Sequence, residues 1–218
     1  MHRVKILGLA VMAVLAVAAV VASASASAAM TLPEFVTKTS WTGTSGAGRL
    51  LQGTADEIKC SAGTNSGTME ASKKLGTLTI TFTGCKSEKP ITGAKCNSTG
   101  DASETILTAG SWHIVLQTGP KGEDIHLIWI LLTPLTVKCS LFEFAIKGNV
   151  LGEITPANAL TKKYSLKVAL VSGKQEYTSF ENDNGEQVAA KLESNGESAT
   201  EESANNVMTT EQDTLIIN

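Results

Sequence analysis

Side chains that alternate with a period of two, broken at short intervals by turn residues, restrict the fold of this chain more than any other feature. Over residues 77–83, Leu78, Ile80 and Phe82 alternate with Thr77, Thr79, Thr81 and Thr83. Successive side chains of an extended backbone point to opposite faces, so this pattern describes a strand with one apolar face and one hydroxyl face. Asn184-Gly185 and Asn195-Gly196 supply the positive φ values of tight hairpins. Ser172-Gly173 and the run Gly119-Pro120-Lys121-Gly122 are further turns.

Residues 112–118 and 124–133 flank that last turn and read as a hairpin. Residues 125–132 are apolar on both faces apart from His126. The run is too short to cross a bilayer as a helix, so it reads as a strand buried on both sides. Residues 135–139 and 141–147 follow as strands. Beyond Pro156 a meander is expected, with Tyr164, Leu166, Val168 and Leu170 on one face, residues 174–181 returning, and Val188, Ala190 and Leu192 facing inward. Residues 197–206 are polar on both sides and read as an edge strand or loop. Leu215, Ile216 and Ile217 should pair back into the sheet. Residues 102–109 and 157–161 could each hold no more than a turn of helix. The expected fold is all-β: an antiparallel β-sandwich or partly closed barrel with hairpin and meander connections.

The N-terminus sets the expected compartment. His2, Arg3 and Lys5 precede an uncharged apolar run, and Ala alternates with Ser over residues 22–28. A basic start, an apolar middle and small-x-small positions make a secretory signal peptide over residues 1–28, cut after Ala28. Residues 29–218 are then a single secreted β domain, extracellular or associated with the cell envelope. No Cys follows the apolar run and no hydrophobic tail ends the sequence, so no lipid anchor and no membrane span are expected after cleavage. Cys60, Cys85, Cys96 and Cys139 make an even count, which in an oxidising compartment reads as two disulfides. Zinc held by four thiolates would favour Cys-x-x-Cys pairs, and the chain has none. Three pairings are open, and the expectation leans to Cys60–Cys85 with Cys96–Cys139.

Charge bounds the partners. Without residues 1–28 the chain has 16 Lys and Arg against 21 Asp and Glu, a net −5. Nucleic acid, which calls for a basic surface, is not an expected partner. Residues 175–218 carry ten acids and one base, Lys191. That reads as a solvated acidic face, with a divalent-cation surface or a basic partner as the sharper alternative. Glu181 is expected near Glu186, and Glu193 near Glu197, across their turns.

Catalytic signatures are missing. His113 and His126 sit in expected strands, and no two His have chelating spacing. The glycine-rich residues 43–48 lack both the Gly-x-Ser-x-Gly elbow and the Lys of a phosphate loop, and read as a flexible loop. Residues 182–186 suggest a calcium loop, but Phe180 stands where its first acidic ligand would be, and a hairpin turn explains them. Paired carboxylates across strands leave no trace in sequence, and Glu123 and Glu143 have no more claim than any surface acid. No catalytic residue, metal ligand or cofactor is assigned. Trp41 and Trp112 are the candidate ligand platform, because a sugar ring can stack on an exposed indole, and Trp41 between Ser40 and Thr42 is the better placed. Trp129, among apolar neighbours, reads as core.

Several short motifs recur in one known group. Ile58-Lys59-Cys60, Gly63, Gly67, Leu75-Gly76, Phe82-Thr83-Gly84-Cys85, Lys95-Cys96-Asn97-Ser98 and the stretch over residues 148–158 make the chain resemble uncharacterised small secreted proteins of actinobacteria. The resemblance implies an exported β fold and carries no activity. The functional expectation is an exported, non-enzymatic binding or structural domain whose partner is a cell-wall or extracellular glycan or protein. Its alternatives are a carbohydrate-binding module and, behind that, an exported hydrolase.

Overall fold

The computed structural model describes residues 32–216 apart from 38–39, 55, 73, 183 and 214. The expected signal peptide and Ile217 lie outside the described residues. A short strand, β1 (Glu34–Phe35), precedes eight crossings of one large antiparallel sheet. The first four crossings are each bent into two strands: β2 (Ser40–Ser45) with β3 (Gly48–Gln52), β4 (Asp56–Cys60) with β5 (Ala62–Met69), β6 (Leu75–Thr83) with β7 (Lys86–Lys89), and β8 (Ala94–Ser98) with β9 (Thr105–Thr118). The next two are single long strands, β10 (Asp124–Cys139) and β11 (Phe142–Thr155). The seventh begins as β12 (Thr161–Val168). An excursion carrying β13 (Leu170–Val171), β14 (Lys174–Gln175), β15 (Ser179–Glu181) and β16 (Gln187–Ala189) interrupts it before it resumes as β17 (Leu192–Ser194). The eighth is β18 (Glu197–Asp213), and β19 (Leu215–Ile216) follows.

Each crossing pairs with the one before it, and β18 returns to pair with β2 at Asn205↔Ser45 and with β3 at Glu202↔Arg49. The sheet is therefore partly ring-like. The described residues contain no helix, in agreement with the all-β expectation. The hairpin expected at residues 119–122 forms with Asp124 opposite Thr118. The two strands expected over 124–133 and 135–139 are one strand, whose register shifts between Leu132 and Leu135. Pro134 falls in that interval, where a bulge spares it from donating to the ladder.

One apolar core fills the ring, and a smaller cluster lies outside it. The core includes Ile114 at 0% and Met69 at 2% exposure, and holds all four cysteines. Outside, Val115, Leu127, Leu151 and Phe180 pack together beneath Tyr177, Val188 and Ala190 of the excursion. The excursion is what buries β10 on both faces, as its sequence required. Fully burying an aliphatic side chain such as Leu127 or Leu151 stabilises by about 1.5–3 kcal/mol, so this cover is a substantial part of the fold. Cys60–Cys85 and Cys96–Cys139 are the two disulfides, and no described cysteine is free. Cys96 and Cys139 also face each other across β8 and β10.

Several expectations need correction. Residues 197–206 are neither edge nor loop: β18 has partners on both sides, β12 and β17 on one, β2 and β3 on the other. Residues 174–181 do not form one returning strand, and only β14 and β15 are regular. Val188 and Ala190 pack on the outer cluster, while Leu192 belongs to the inner core. The 43–48 segment is no loop but the bend between β2 and β3, and residues 105–109 extend β9 rather than coil. The C-terminal strand pairs with β1, at Phe35↔Leu215, and not with the main sheet.

Candidate functional site

The inward side chains surround a cavity of about 150 Å³. Its walls come from Leu78 and Ile80 of β6, Ile106 of β9, Ile130 of β10, Val150 of β11 and Leu166 of β12. An apolar space of about this size can hold a benzene-sized ring. Phe35 also lines it, set edge-on to Trp112 with ring centroids 6.3 Å apart and to Tyr164 at 5.5 Å. Phe35 and the fully buried Leu215 are the paired residues of β1 and β19, so the two ends of the described chain close over this part of the core together.

Both candidate platform tryptophans turn inward. Trp112 is 4% exposed, Trp41 is half-buried, and both line the cavity. They offer an enclosed wall in place of an open face for stacking a sugar. Their seats are made by glycines inside strands. A Cβ on Gly67 would stand 2.2 Å from Cζ2 of Trp41, and one on Gly76 would stand 2.9 Å from Nε1 of Trp112.

One wall is polar. β18 is extended, so Glu201, Ser203, Asn205, Val207 and Thr209 all face the cavity. Asn205 joins Ser203 to Ser45 of β2 and Asn65 of β5 in a hydrogen-bonded ladder. Asn65 Nδ2 donates to Asn205 Oδ1 at 3.1 Å and to Ser45 Oγ at 3.3 Å, and Ser45 Oγ also donates to Asn205 Oδ1. Asn205 Nδ2 donates to Ser203 Oγ at 3.2 Å and to the Leu166 carbonyl at 3.3 Å. The Ser203 hydroxyl lies beside the Glu201 carboxyl and favours its charged form. Gly43 leaves room for this arrangement, since a Cβ there would fall 2.2 Å from Asn65 Oδ1. Among the described residues, four buried polar atoms on cavity-lining residues lack a partner: Asn65 Oδ1, Thr108 Oγ1, Trp112 Nε1 and Glu201 Oε2. Each buried group left so costs about 1–3 kcal/mol.

Among the described residues, Glu201 is the one acid that lines the cavity. The residue as a whole is only part-buried, yet Oε2 is shut off from solvent. Burial pushes its carboxyl up to about 7, the nearby Ser203 hydroxyl opposes the rise, and the neighbouring Glu202 adds to it. Arg49 reaches the rim, but its guanidinium binds Glu202 at 2.7 Å and lies 3.9 Å from Glu57.

The other candidates lie elsewhere. His113 rests against Trp129, ring centroids 5.3 Å apart, and neither it nor His126 lines the cavity. Burial lowers the pKa of both. Among the described residues no group of His, Cys, Asp and Glu is arranged to hold a metal ion. The acidic C-terminal stretch is divided by its strand geometry. Glu193 bonds Lys191 at 2.6 Å and Lys147 at 3.2 Å, and these bonds hold its carboxyl below the ordinary range. The expected like-charge neighbours are not opposed: Gln187 faces Glu181, and Ser198 faces Glu193. No protein-family profile, curated protein or solved structure matches this chain.

Proposed function

We propose that this protein is an exported, non-enzymatic binding domain that encloses a small, mainly apolar ligand inside its curled sheet. The observation that carries this reading is the 150 Å³ cavity with its almost wholly apolar surface. A core optimised for stability alone would close such a space, because each unfilled volume forfeits dispersion contacts. Export is supported by the basic, apolar and small-residue pattern of residues 1–28 and by the pairing of every described cysteine. The inward turn of both candidate tryptophans weighs for this reading and against a carbohydrate-binding module.

Toluene provides the simplest test. Binding to the folded state should raise the thermal midpoint in proportion to the logarithm of ligand concentration. Ile80→Phe, which adds ring volume at the cavity wall, should abolish that rise. A midpoint that toluene leaves unmoved in the unsubstituted protein sinks the proposal.

A further inference from the structure

We infer that the outer face of β2, β5 and β6 is an ice-binding surface, a function separate from the enclosed cavity. Strand pairing arranges its outward side chains as a lattice. Thr42, Ser66 and Thr79 form one rank across the three strands, and Thr44, Thr64 and Thr81 form the next. A third rank adds Ser40, with Thr68 and Thr77 joined through their hydroxyls at 2.8 Å. All nine carry a hydroxyl, and all are exposed except the half-buried Thr81. Neighbouring strands lie about 4.8 Å apart, and alternate residues along a strand repeat at about 6.7 Å. These spacings approach the oxygen repeats on a prism face of hexagonal ice, the shorter across the strands and the longer along them. A crystal surface cannot adapt to its partner, so the match must be built in beforehand. Thr supplies it, because its branched side chain is stiff at χ1 and sets a methyl beside each hydroxyl.

The β propensity of Thr does not account for the lattice. β2, β5 and β6 hold no charged residue. In their other strands, β3, β4 and β7, the same three crossings carry Arg49, Glu57, Lys59 and Lys86. A soluble surface ordinarily mixes charges among its polar groups. A charged group holds its own hydration shell, which a face meeting neutral, ordered water must do without. The margins are apolar: Leu107, beside Thr81, is 40% exposed, and Met208, beside Thr42, is 49% exposed. Protein interfaces have an apolar centre and a polar rim, and this face has the reverse. It also presents no aromatic ring on which a sugar could stack. Twist of about 20–25° between adjacent strands confines the match to a few columns, so the expected activity is slowed recrystallisation and not a deep depression of freezing.

Uptake of the purified protein into a slowly grown ice shell, read as protein concentration in the ice fraction, tests the assignment. Ser66→Lys sets an ammonium at the centre of the lattice, and Thr79→Lys sets one on the neighbouring strand in case the first variant fails to fold. Thr54→Lys makes a matching exchange in the exposed turn between β3 and β4. The unsubstituted protein and Thr54→Lys should enter the ice alike, and either lattice variant should adsorb at least about tenfold more weakly. Exclusion of the unsubstituted protein from the ice overturns the inference, and that result needs no variant. Uptake of a folded lattice variant equal to that of the unsubstituted protein overturns it as well. Adsorption to microcrystalline cellulose or chitin without uptake into ice overturns it in favour of a neutral polysaccharide. Self-association that Ser66→Lys abolishes, again without uptake into ice, overturns it in favour of a second copy of this chain. None of these results bears on the cavity, which toluene tests separately.

Discussion

Replacing Glu201 with Gln should stabilise the protein, and by an amount that depends on pH in one direction only. The folded carboxyl is raised from an ordinary 4.5 to about 7, chiefly by burial. A carboxyl with a higher pKa folded than unfolded contributes nothing adverse below the unfolded value, where both states are protonated. Between about pH 4.5 and 7 the unfolded state loses its proton first, so stability falls as pH rises, and the loss is complete above the folded value. Each pKa unit corresponds to 1.36 kcal/mol, which sets an upper bound of about 3 kcal/mol. The charged groups beside Glu201 are Glu202 on the same strand and, on β3, Arg49, which Glu202 holds. Gln keeps an acceptor for Ser203 and carries no charge, so E201Q removes the titration with little change of shape. Urea melts of both proteins at pH 4, 6 and 8 isolate this one group from the other titrating acids. The variant should match the unsubstituted protein at pH 4 and exceed it by up to about 3 kcal/mol at pH 8. A difference that is the same at both ends of the range would refute the argument that Glu201 is buried without a counter-ion.

Gly67→Ala places a methyl 2.2 Å from the Trp41 indole and 2.4 Å from the Thr77 carbonyl, and should destabilise by about 1–3 kcal/mol with a shift in tryptophan fluorescence; an unmoved urea midpoint would contradict the close packing. Removing the Cys96–Cys139 link, 43 residues apart in sequence, with paired Ser substitutions should cost about 4 kcal/mol on the chain-entropy model. Alkylation without reductant should add no mass to the unsubstituted protein, and label at any cysteine would count against two complete bridges. Phe35→Ala strips the ring that meets Trp112 and Tyr164, and should cost about 3–5 kcal/mol while quickening toluene uptake in stopped flow. Unchanged uptake would show that β1 and β19 do not control access.

The sequence disclosed those parts of the fold that depend on local chemistry. Leu78, Ile80 and Phe82 on one face of β6, the hairpin at residues 119–122 and the turns at Ser172-Gly173 and Asn195-Gly196 are all decided within a few residues of themselves. The cysteine pairing was also open to expectation, being the one that joins neighbours in sequence. Excursion and ring closure were not legible in the same way. Val188 and Leu192 are both apolar and lie on the same parity, yet one packs outside the sheet and the other inside. Periodicity reports which face of a strand is buried but not against what.

The largest misreading, of residues 197–206, has the same physical origin as the candidate site. Hydrophobic alternation identifies a strand only when the inward set is apolar. On β18 the inward set is Glu201, Ser203, Asn205, Val207 and Thr209, and the outward set includes Glu202, Asn206 and Thr210, so no contrast exists to be read. Polar side chains occupy inward positions there because partners from distant strands satisfy most of them: Ser45 and Asn65 lie 160 and 140 residues from Asn205. Such partners become visible only when β18 is laid beside β2 by ring closure. A polar face turned towards an apolar core is therefore stable only as far as its hydrogen bonds are complete, and Glu201 Oε2 has none. Stability alone would favour an apolar residue at position 201.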